Sequence, residues 1–279
     1  MTGGGGFLGR HVVEVLRGRG LVVEAAGHGA DRSIDFRIAE DVATLVESLR
    51  PTHVVHLAGT STLAELRRDP QGGNYNVVQP AVNVLDALAD IGGARLVLVS
   101  PCDVYGRASR IPTDEPSALA PACLYGAARA AVEYMSRAYV GRGVAPVVAR
   151  VFPFTGPGQD RRWPLGDVAA RAARGEVARL GDPEVRRDMS DVRDIATGLV
   201  LLAEQGAPGE AYNLCSGAAR SMRAMAEEVA RAPVEQDLTL AQSGIVPVFL
   251  GSASKAEALG WRRVHALSET LADLRASYL

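Results

Sequence analysis

Residues 2–11, "TGGGGFLGRH", decide how the rest of the chain is read. Gly3, Gly6 and Gly9 fall in a G-x-x-G-x-x-G spacing that opens a helical segment, with Val12, Val13, Val15 and Leu16 on one face. Glycines so placed permit a tight turn, close approach of a pyrophosphate to the backbone, and close helix packing. The helix N-terminus then favours negative charge. An ordinary turn also satisfies this pattern, so the downstream segments decide between the two. "LVVEAAG" (21–27), "THVVHLAG" (52–59), "ARLVLVS" (94–100) and "APVVARVF" (145–152) are apolar and β-branched. Helical spacings at 39–49, near 76–90 and at 124–140 separate them. Such alternation predicts an α/β doubly wound, mostly parallel sheet with helices on both faces.

One requirement is unmet. A phosphate loop follows a strand, and only Met1 and Thr2 precede Gly3. That strand is normally central, and its loss leaves two neighbours with unpaired backbone groups. The first strand is therefore expected to be truncated, either because the chain starts downstream of its natural start, which is favoured, or with the sheet repaired in another way. After residue 152, "FPFTGPGQDRRWPLGD" reads as loop. Helices at 165–175 and 192–205, "GEAYNLCSG", and a final amphipathic helix, "LSETLADLRASYL", come next. The expected division is a dinucleotide-binding domain over 1–152, to which 188–217 return, and a smaller C-terminal substrate lobe from 153–187 and 218–279. That lobe would cover the carboxyl edge of the sheet, where ligands sit in open α/β folds.

The 279 residues are 47% hydrophobic with a mean hydropathy of +0.05, enough to bury a core. Apolar runs fall short of the ~20 residues that span a bilayer, and no secretory signal is visible. A formal charge of -2 gives no reason to expect nucleic acid or an anionic membrane. Cys102, Cys123 and Cys215 are odd in number and widely spaced, which suits reduced thiols in a cytoplasm. His53 and His56 alternate as strand histidines do, and no metal site is expected. At the end of the second strand, Gly27 and His28 stand where NAD sites place an acid, with Arg32 nearby. NADP is favoured on that ground, with NAD still possible.

The motifs "TGGGGFLG", "VVHLAG", "NYNVVQPAVNVLDAL", "VYG", "LYGAAR", "GPGQ", "RRDMSDVRD", "GEAYNLCSG" and "SKAEALGW" run through nearly the whole length. In these the chain resembles the extended short-chain dehydrogenase/reductases, the NAD-dependent epimerase/dehydratase family of nucleotide-sugar enzymes with a Rossmann-like fold. Its later half is most similar to GDP-4-keto-6-deoxy-mannose reductases. The resemblance implies a tyrosine that exchanges a proton with a sugar oxygen, a lysine four residues on, and a serine or threonine hydroxyl bonded to the same oxygen. Tyr125 fills the first position, Arg129 the second and Pro101 the third. Arginine keeps the charge with different geometry, and proline cannot donate at all. Ser100 is the adjacent hydroxyl. Asp103 occupies the position of a dehydratase general base, and a turn-capping role is equally open to it.

The same resemblance places Gly3, Gly6, Phe7, Leu8, Gly9, His28, Arg32, Asp35, Phe36, Leu57, Ala58, Gly59, Asn76, Tyr125 and Arg129 around the cofactor. Cys102, Pro153, Arg162 and Arg187 are implied on the substrate side, with Arg187 first among arginines for a diphosphate. It also implies a homodimer through the helices near 76–90 and 124–140. The expected function is reduction of a nucleotide-activated 4-keto-6-deoxyhexose in deoxysugar biosynthesis. Two alternatives stand beside it: a non-redox epimerase or dehydratase using Tyr125 and Asp103, and a cofactor-binding protein that has lost its chemistry.

Overall fold

The structure is a computed structural model that describes residues 1–59, 66, 68–241 and 245–279. Helix α1 (Phe7–Gly18) buries Leu8, Val12 and Val13. Helix α2 (Ala39–Leu49) ends at Arg50, whose backbone is left-handed immediately before Pro51; a residue preceding proline is kept out of the helical region. Strand β1 (His53–His56) leads to α3 (Pro70–Ile91), which Asp69 caps by accepting from the Gly72 amide, with Pro70 at the first turn. Then come β2 (Arg95–Pro101), a 3-10 turn (Cys102–Tyr105), α4 (Leu124–Ala138) and β3 (Ala145–Val151).

The second half adds β4 (Phe154–Thr155), α5 (Pro164–Ala173), β5 (Arg179–Leu180), β6 (Arg186–Asp188), β7 (Ser190–Asp191), α6 (Val192–Gln205) and β8 (Ala211–Leu214). It ends with β9 (Ala219–Ser221), α7 (Met222–Ala230), β10 (Glu235–Gln236), β11 (Val248–Phe249), α8 (Ser254–Ala258) and α9 (Leu267–Ala276).

The main sheet is parallel in the order β1-β2-β3-β8. Side chains alternate between its faces with the period of two that strands impose. Val55, Val97, Val147 and Ala149 join a core with Leu8, Val12, Ile195 and Leu199 of α1 and α6. Val54 and Leu96 pack beneath α2 and α3, and Leu98 and Val148 beneath α3 and α4. Burial on both faces, worth roughly 1.5–3 kcal/mol for each large aliphatic side chain, is why these strands are continuous apolar runs. The doubly wound α/β fold is thus the one the alternation predicts.

The strand expected at 21–27 does not form. Leu21 is 46% and Val22 103% exposed. The physical reason is the shortness of its partner: Met1 and Thr2 span only one step of a ladder. The Ala26 amide donates to the Met1 carbonyl (2.8 Å), the Gly3 amide to Ala26 (2.8 Å), and the Thr2 amide to Val55 (3.0 Å). Single parallel bridges therefore carry the sheet sideways from β1 through Thr2 and Ala26 to Arg32. Thr2 is a single rung between Ala26 and His56, and among the described residues 21–25 no strand partner is assigned. A second departure is smaller. Phe154 and Thr155, expected as loop, form β4 against β7.

A separate core gathers Leu165, Val168, Leu180, Met225, Val229 and Leu271 from α5, α7, α9 and the short strands. Asp188 fastens this region to the sheet. Its carboxylate accepts from the amides of Ser216 (2.6 Å), Gly217 (3.0 Å) and Gly251 (3.0 Å).

Candidate active site

The glycine loop is shaped by close approach at two of its glycines. Gly3 has φ +68°, and a Cβ there would lie 3.0 Å from the Leu57–Ala58 backbone; one at Gly9 would collide with the Gly3 carbonyl. Around Gly6, by contrast, a Cβ would meet only the Gly3 carbonyl, at 3.3 Å, among the described residues. Gly6 also leaves the N-terminus of α1 without a side-chain cap, and its first turn holds no acid. Open backbone plus uncapped amides at the positive end of a helix dipole is a fit for a pyrophosphate. Thr2 braces the opposite wall. Its hydroxyl accepts from the Leu57 and Ala58 amides (both 3.1 Å) and lies 2.9 Å from His56 Nδ1. With both acceptor positions taken, it donates to Nδ1, leaving the imidazole proton on Nε2. His56 is fully buried, and Nε2 has no partner among the described residues. Burial, then the charges of Arg129 and the N-terminus, depress its pKa to about 3.

Other residues expected around the cofactor divide. Gly59 borders Arg129 Nη2, 3.6 Å from where its Cβ would stand. Asp35 is held by Arg37 (2.8 and 3.0 Å to Nε), whose hydrogen bonds lower its pKa to about 2, and Arg37 reaches Asn76 Oδ1 at 3.3 Å. The Phe36 and Leu8 side chains are core, 6% and 8% exposed, so only their backbone can face a ligand. Phe7 stacks on Phe154 at 5.9 Å. His28 is exposed, while Arg32 pairs with Glu24. A cleft of about 440 Å³ beside the loop, lined by Gly4, Gly5, Arg10, Glu14, Arg17 and Asp31, contains two carboxylates. Asp31 accepts from the Ala25 amide (3.2 Å) and pairs with Arg17 (2.5 Å). The return of the chain after Gly27 brings it there.

At the carboxyl end of the sheet, α4 carries Tyr125 and, one turn later, Arg129. Cys123 caps this helix, its Sγ accepting from the Gly126 amide at 3.4 Å. The Arg129 guanidinium lies 5.5 Å from the Tyr125 ring centre and the residue is 5% exposed. Loss of water raises the Tyr125 phenol above its ordinary value; Arg129 pulls it down by charge and hydrogen bond, and Asp103 pushes it further up. A Cβ on Gly126 would press on the Asp103 carbonyl, which seats α4 against the 3-10 turn. Asp103 is itself raised by loss of water, with Arg187 opposing. Burial likewise pushes up the Cys102 thiol. Ser100 is fully buried on the sheet face shared with Leu98, beneath α3 and α4, and its hydroxyl has no partner among the described residues. Pro101 ends β2 opposite Val151.

Of the arginines expected toward a diphosphate, Arg187 reaches this cluster. It donates to the Arg186 (2.9 Å) and Val246 (3.0 Å) carbonyls and covers the Phe249 ring at 4.9 Å. Arg162 has a side chain 57% exposed that pairs with Asp160 at 3.2 Å. Arg161 pairs with Asp167, and Arg193 bridges Asp191 and Asp273. Each has an acid within a few residues or in α9 that satisfies it. Pro153 offers its carbonyl to the Ser190 amide (2.9 Å).

A buried network beneath the site was not anticipated. Arg150 on β3 meets Glu133 on α4 at 2.9 Å, both nearly inaccessible. Arg150 also donates to the Tyr105 hydroxyl (2.9 Å), which donates to Asn213 Oδ1 (2.7 Å). Glu133 lies eight residues beyond Tyr125, two turns along one helix face, and an acid there was the readable signal. Its partner on β3 was not. Among the described residues no group of acidic, histidine or cysteine side chains is placed to hold a metal ion, and no helix is long and apolar enough to cross a membrane.

Residues 1–215 match the NAD dependent epimerase/dehydratase family. Among curated proteins, GDP-6-deoxy-D-mannose reductase of Pseudomonas aeruginosa is 28% identical over 246 residues, 82% of this chain and 78% of that one. Among solved structures, the UDP-glucose 4-epimerase of Thermus thermophilus, in complex with NAD, superposes with a TM-score of 0.90 at 26% identity, covering 99% of this chain and 97% of that one. The Pseudomonas aeruginosa protein RMD, complexed with NADPH, gives 0.86 at 27% identity, covering 99% and 96%. A glycine loop open at Gly6, the Tyr125–Arg129 pair and these likenesses place the chain in the NAD-dependent epimerase/dehydratase family.

Proposed function

We propose that this protein reduces a nucleotide-activated 4-keto-6-deoxyhexose with a nicotinamide cofactor. The observation that carries the reading is the placement of Tyr125 on α4 with the Arg129 guanidinium 5.5 Å from its ring centre. Its raised phenol stays protonated through neutral pH, which suits delivery of a proton to a ketone oxygen rather than removal of one from an alcohol. Likeness to a GDP-6-deoxy-D-mannose reductase points the same way.

The α1 amides and the backbone around Gly3, Gly6 and Gly59 would hold the cofactor, with Asp35 and Asn76 toward its adenosine and ribose. When bound, the nicotinamide supplies a hydride. Tyr125 supplies the proton to the sugar oxygen. Arg129 stabilises the phenolate left behind, a role its permanent charge allows. Arg187 grips the diphosphate, since a guanidinium fork suits paired phosphate oxygens. NADPH is our first choice of cofactor because His28 is exposed and no carboxylate follows Gly27 directly; Asp31 at the neighbouring wall keeps NADH in play. Three cysteines with no disulfide among them support a reducing compartment. The exposed Tyr75 on α3 and Tyr134 on α4 support a homodimer through these helices.

The test is oxidation of NADPH in the presence of GDP- and UDP-linked 4-keto-6-deoxyhexoses. Tyr125→Phe should abolish turnover with cofactor affinity unchanged. The wild-type rate should fall only at alkaline pH, where Tyr125 loses the proton it must give. Unchanged turnover in Tyr125→Phe, or product formed without net cofactor oxidation, overturns the reading; the second result points instead to an epimerase or dehydratase.

A further inference from the structure

The small sheet β11-β6-β9 sets two arginines opposite one another. Phe249, Arg187 and Arg220 stand in register across its three strands, and residues in register on paired strands share a face. Arg186, on the opposite face, donates to the Ala219 carbonyl (2.8 Å) and fastens β6 to β9. Phe249 belongs to the core that also holds Cys102 and Tyr105 of the turn after β2, so the face it shares with the two arginines is turned toward that end of the main sheet. Like charges directly opposite on antiparallel strands repel, and each arginine is drawn to a different neighbour. Arg187 lies over the Phe249 ring at 4.9 Å and donates to the Val246 carbonyl (3.0 Å). Arg220 pairs with Glu228 on α7 at 2.8 Å.

The two charges are balanced unequally. Arg187 is half-buried, and its partners among the described residues are two carbonyls and a ring, all neutral. The Arg220–Glu228 pair lies at the surface, its side chains 39% and 34% exposed. Pairs of that kind are weak and readily exchanged. We propose that Arg220 is the second arm of the diphosphate site: on binding it leaves Glu228 and takes one phosphoryl group of a nucleoside diphosphate, while Arg187 takes the other. The inference rests on the nucleotide-sugar reading in which Arg187 grips the diphosphate, and adds to it a second residue and an exchange of partners.

The energetics favour that exchange. A diphosphate between the two guanidinium groups removes their repulsion and gives the half-buried Arg187 a counter-charge. Each planar fork meets two phosphate oxygens. Glu228 gives up a weak partner and is left at the surface, where water solvates its carboxylate. A nucleoside monophosphate has only one phosphoryl group to offer, so Arg220 then stays with Glu228. The pair of arginines thus selects for two phosphates, and Glu228 acts as the competing anion that sets the affinity.

The test is calorimetric titration of the protein with GDP, UDP, GMP and UMP, with NADPH present to fill the cofactor site. Arg220→Ala should weaken the diphosphate that wild type prefers by ~10- to 100-fold, the usual effect of losing a charge-assisted hydrogen bond. The matching monophosphate should change by less than about threefold, since Arg220 does not touch it. Glu228→Gln, which frees Arg220 beforehand, should tighten the diphosphate by about threefold. Both side chains are at the surface, so both variants should keep the wild-type Tm and NADPH affinity. Unchanged diphosphate binding in Arg220→Ala, an equal loss for mono- and diphosphate, or weaker diphosphate binding in Glu228→Gln overturns the proposal. If wild type binds neither diphosphate, the proposal falls together with the role given to Arg187. If it binds one but oxidises no NADPH with any 4-keto sugar, the reductase reading alone fails, and the titrations still decide on Arg220.

Discussion

Acidification should unlock this protein at His56. The imidazole is fully buried at the end of β1, beside Arg129 and near the N-terminal charge, and its pKa is depressed to about 3. In the unfolded chain it returns to about 6.5. Between these values the unfolded state binds a proton that the folded state refuses, so stability rises with pH across the window and is lost as pH falls. Going from pH 7 to pH 5, the linkage relation gives a loss of about 2 kcal/mol from this residue, roughly 30-fold in the folded-to-unfolded ratio. Protonation would also make Nδ1 a donor. Thr2 Oγ1 would then have to release the Leu57 or Ala58 amide, loosening the wall of the glycine loop. The assay is urea unfolding at pH 7, 6 and 5 for wild type and His56→Gln, which cannot titrate. The difference between the two should change by about 2 kcal/mol over that range with m unchanged. Parallel curves would show that His56 is hydrated or charged in the folded protein, and the assignment would be wrong.

Other single features have equally direct consequences. Glu133→Ala strands the Arg150 guanidinium in the core and should cost ~3–5 kcal/mol, read as a drop in Tm; a loss under ~1 kcal/mol would mean that water reaches the pair. Gly9→Ala drives a Cβ into the Gly3 carbonyl and should weaken NADPH binding at least tenfold in a nicotinamide fluorescence titration; unaltered binding would show that the loop can shift. Val22→Thr, at a position expected to be a buried strand and found fully exposed, should leave stability within about 0.5 kcal/mol.

Much of this molecule was legible in its chain. Apolar runs of strand length separated by helical spacings determine a parallel sheet covered on both faces, because such runs are stable only when buried from both sides. The spacing of Gly3, Gly6 and Gly9, and of Tyr125 and Arg129, was equally readable, since each depends on one turn or one helix. Failures arose where a distant partner decides. Residues 21–26 have strand composition, yet a strand needs a neighbour, and Met1 and Thr2 pair with one residue of it. Arg162 and Arg187 were both expected on the substrate side; that Arg162 is paired depends on Asp160, which its own loop brings to it. Composition determined that Pro101 could give no hydrogen bond. That the turn holding Asp103 seats against α4 at Gly126, beside Tyr125, was decided by packing, because close approach is a property of surroundings and not of a residue type.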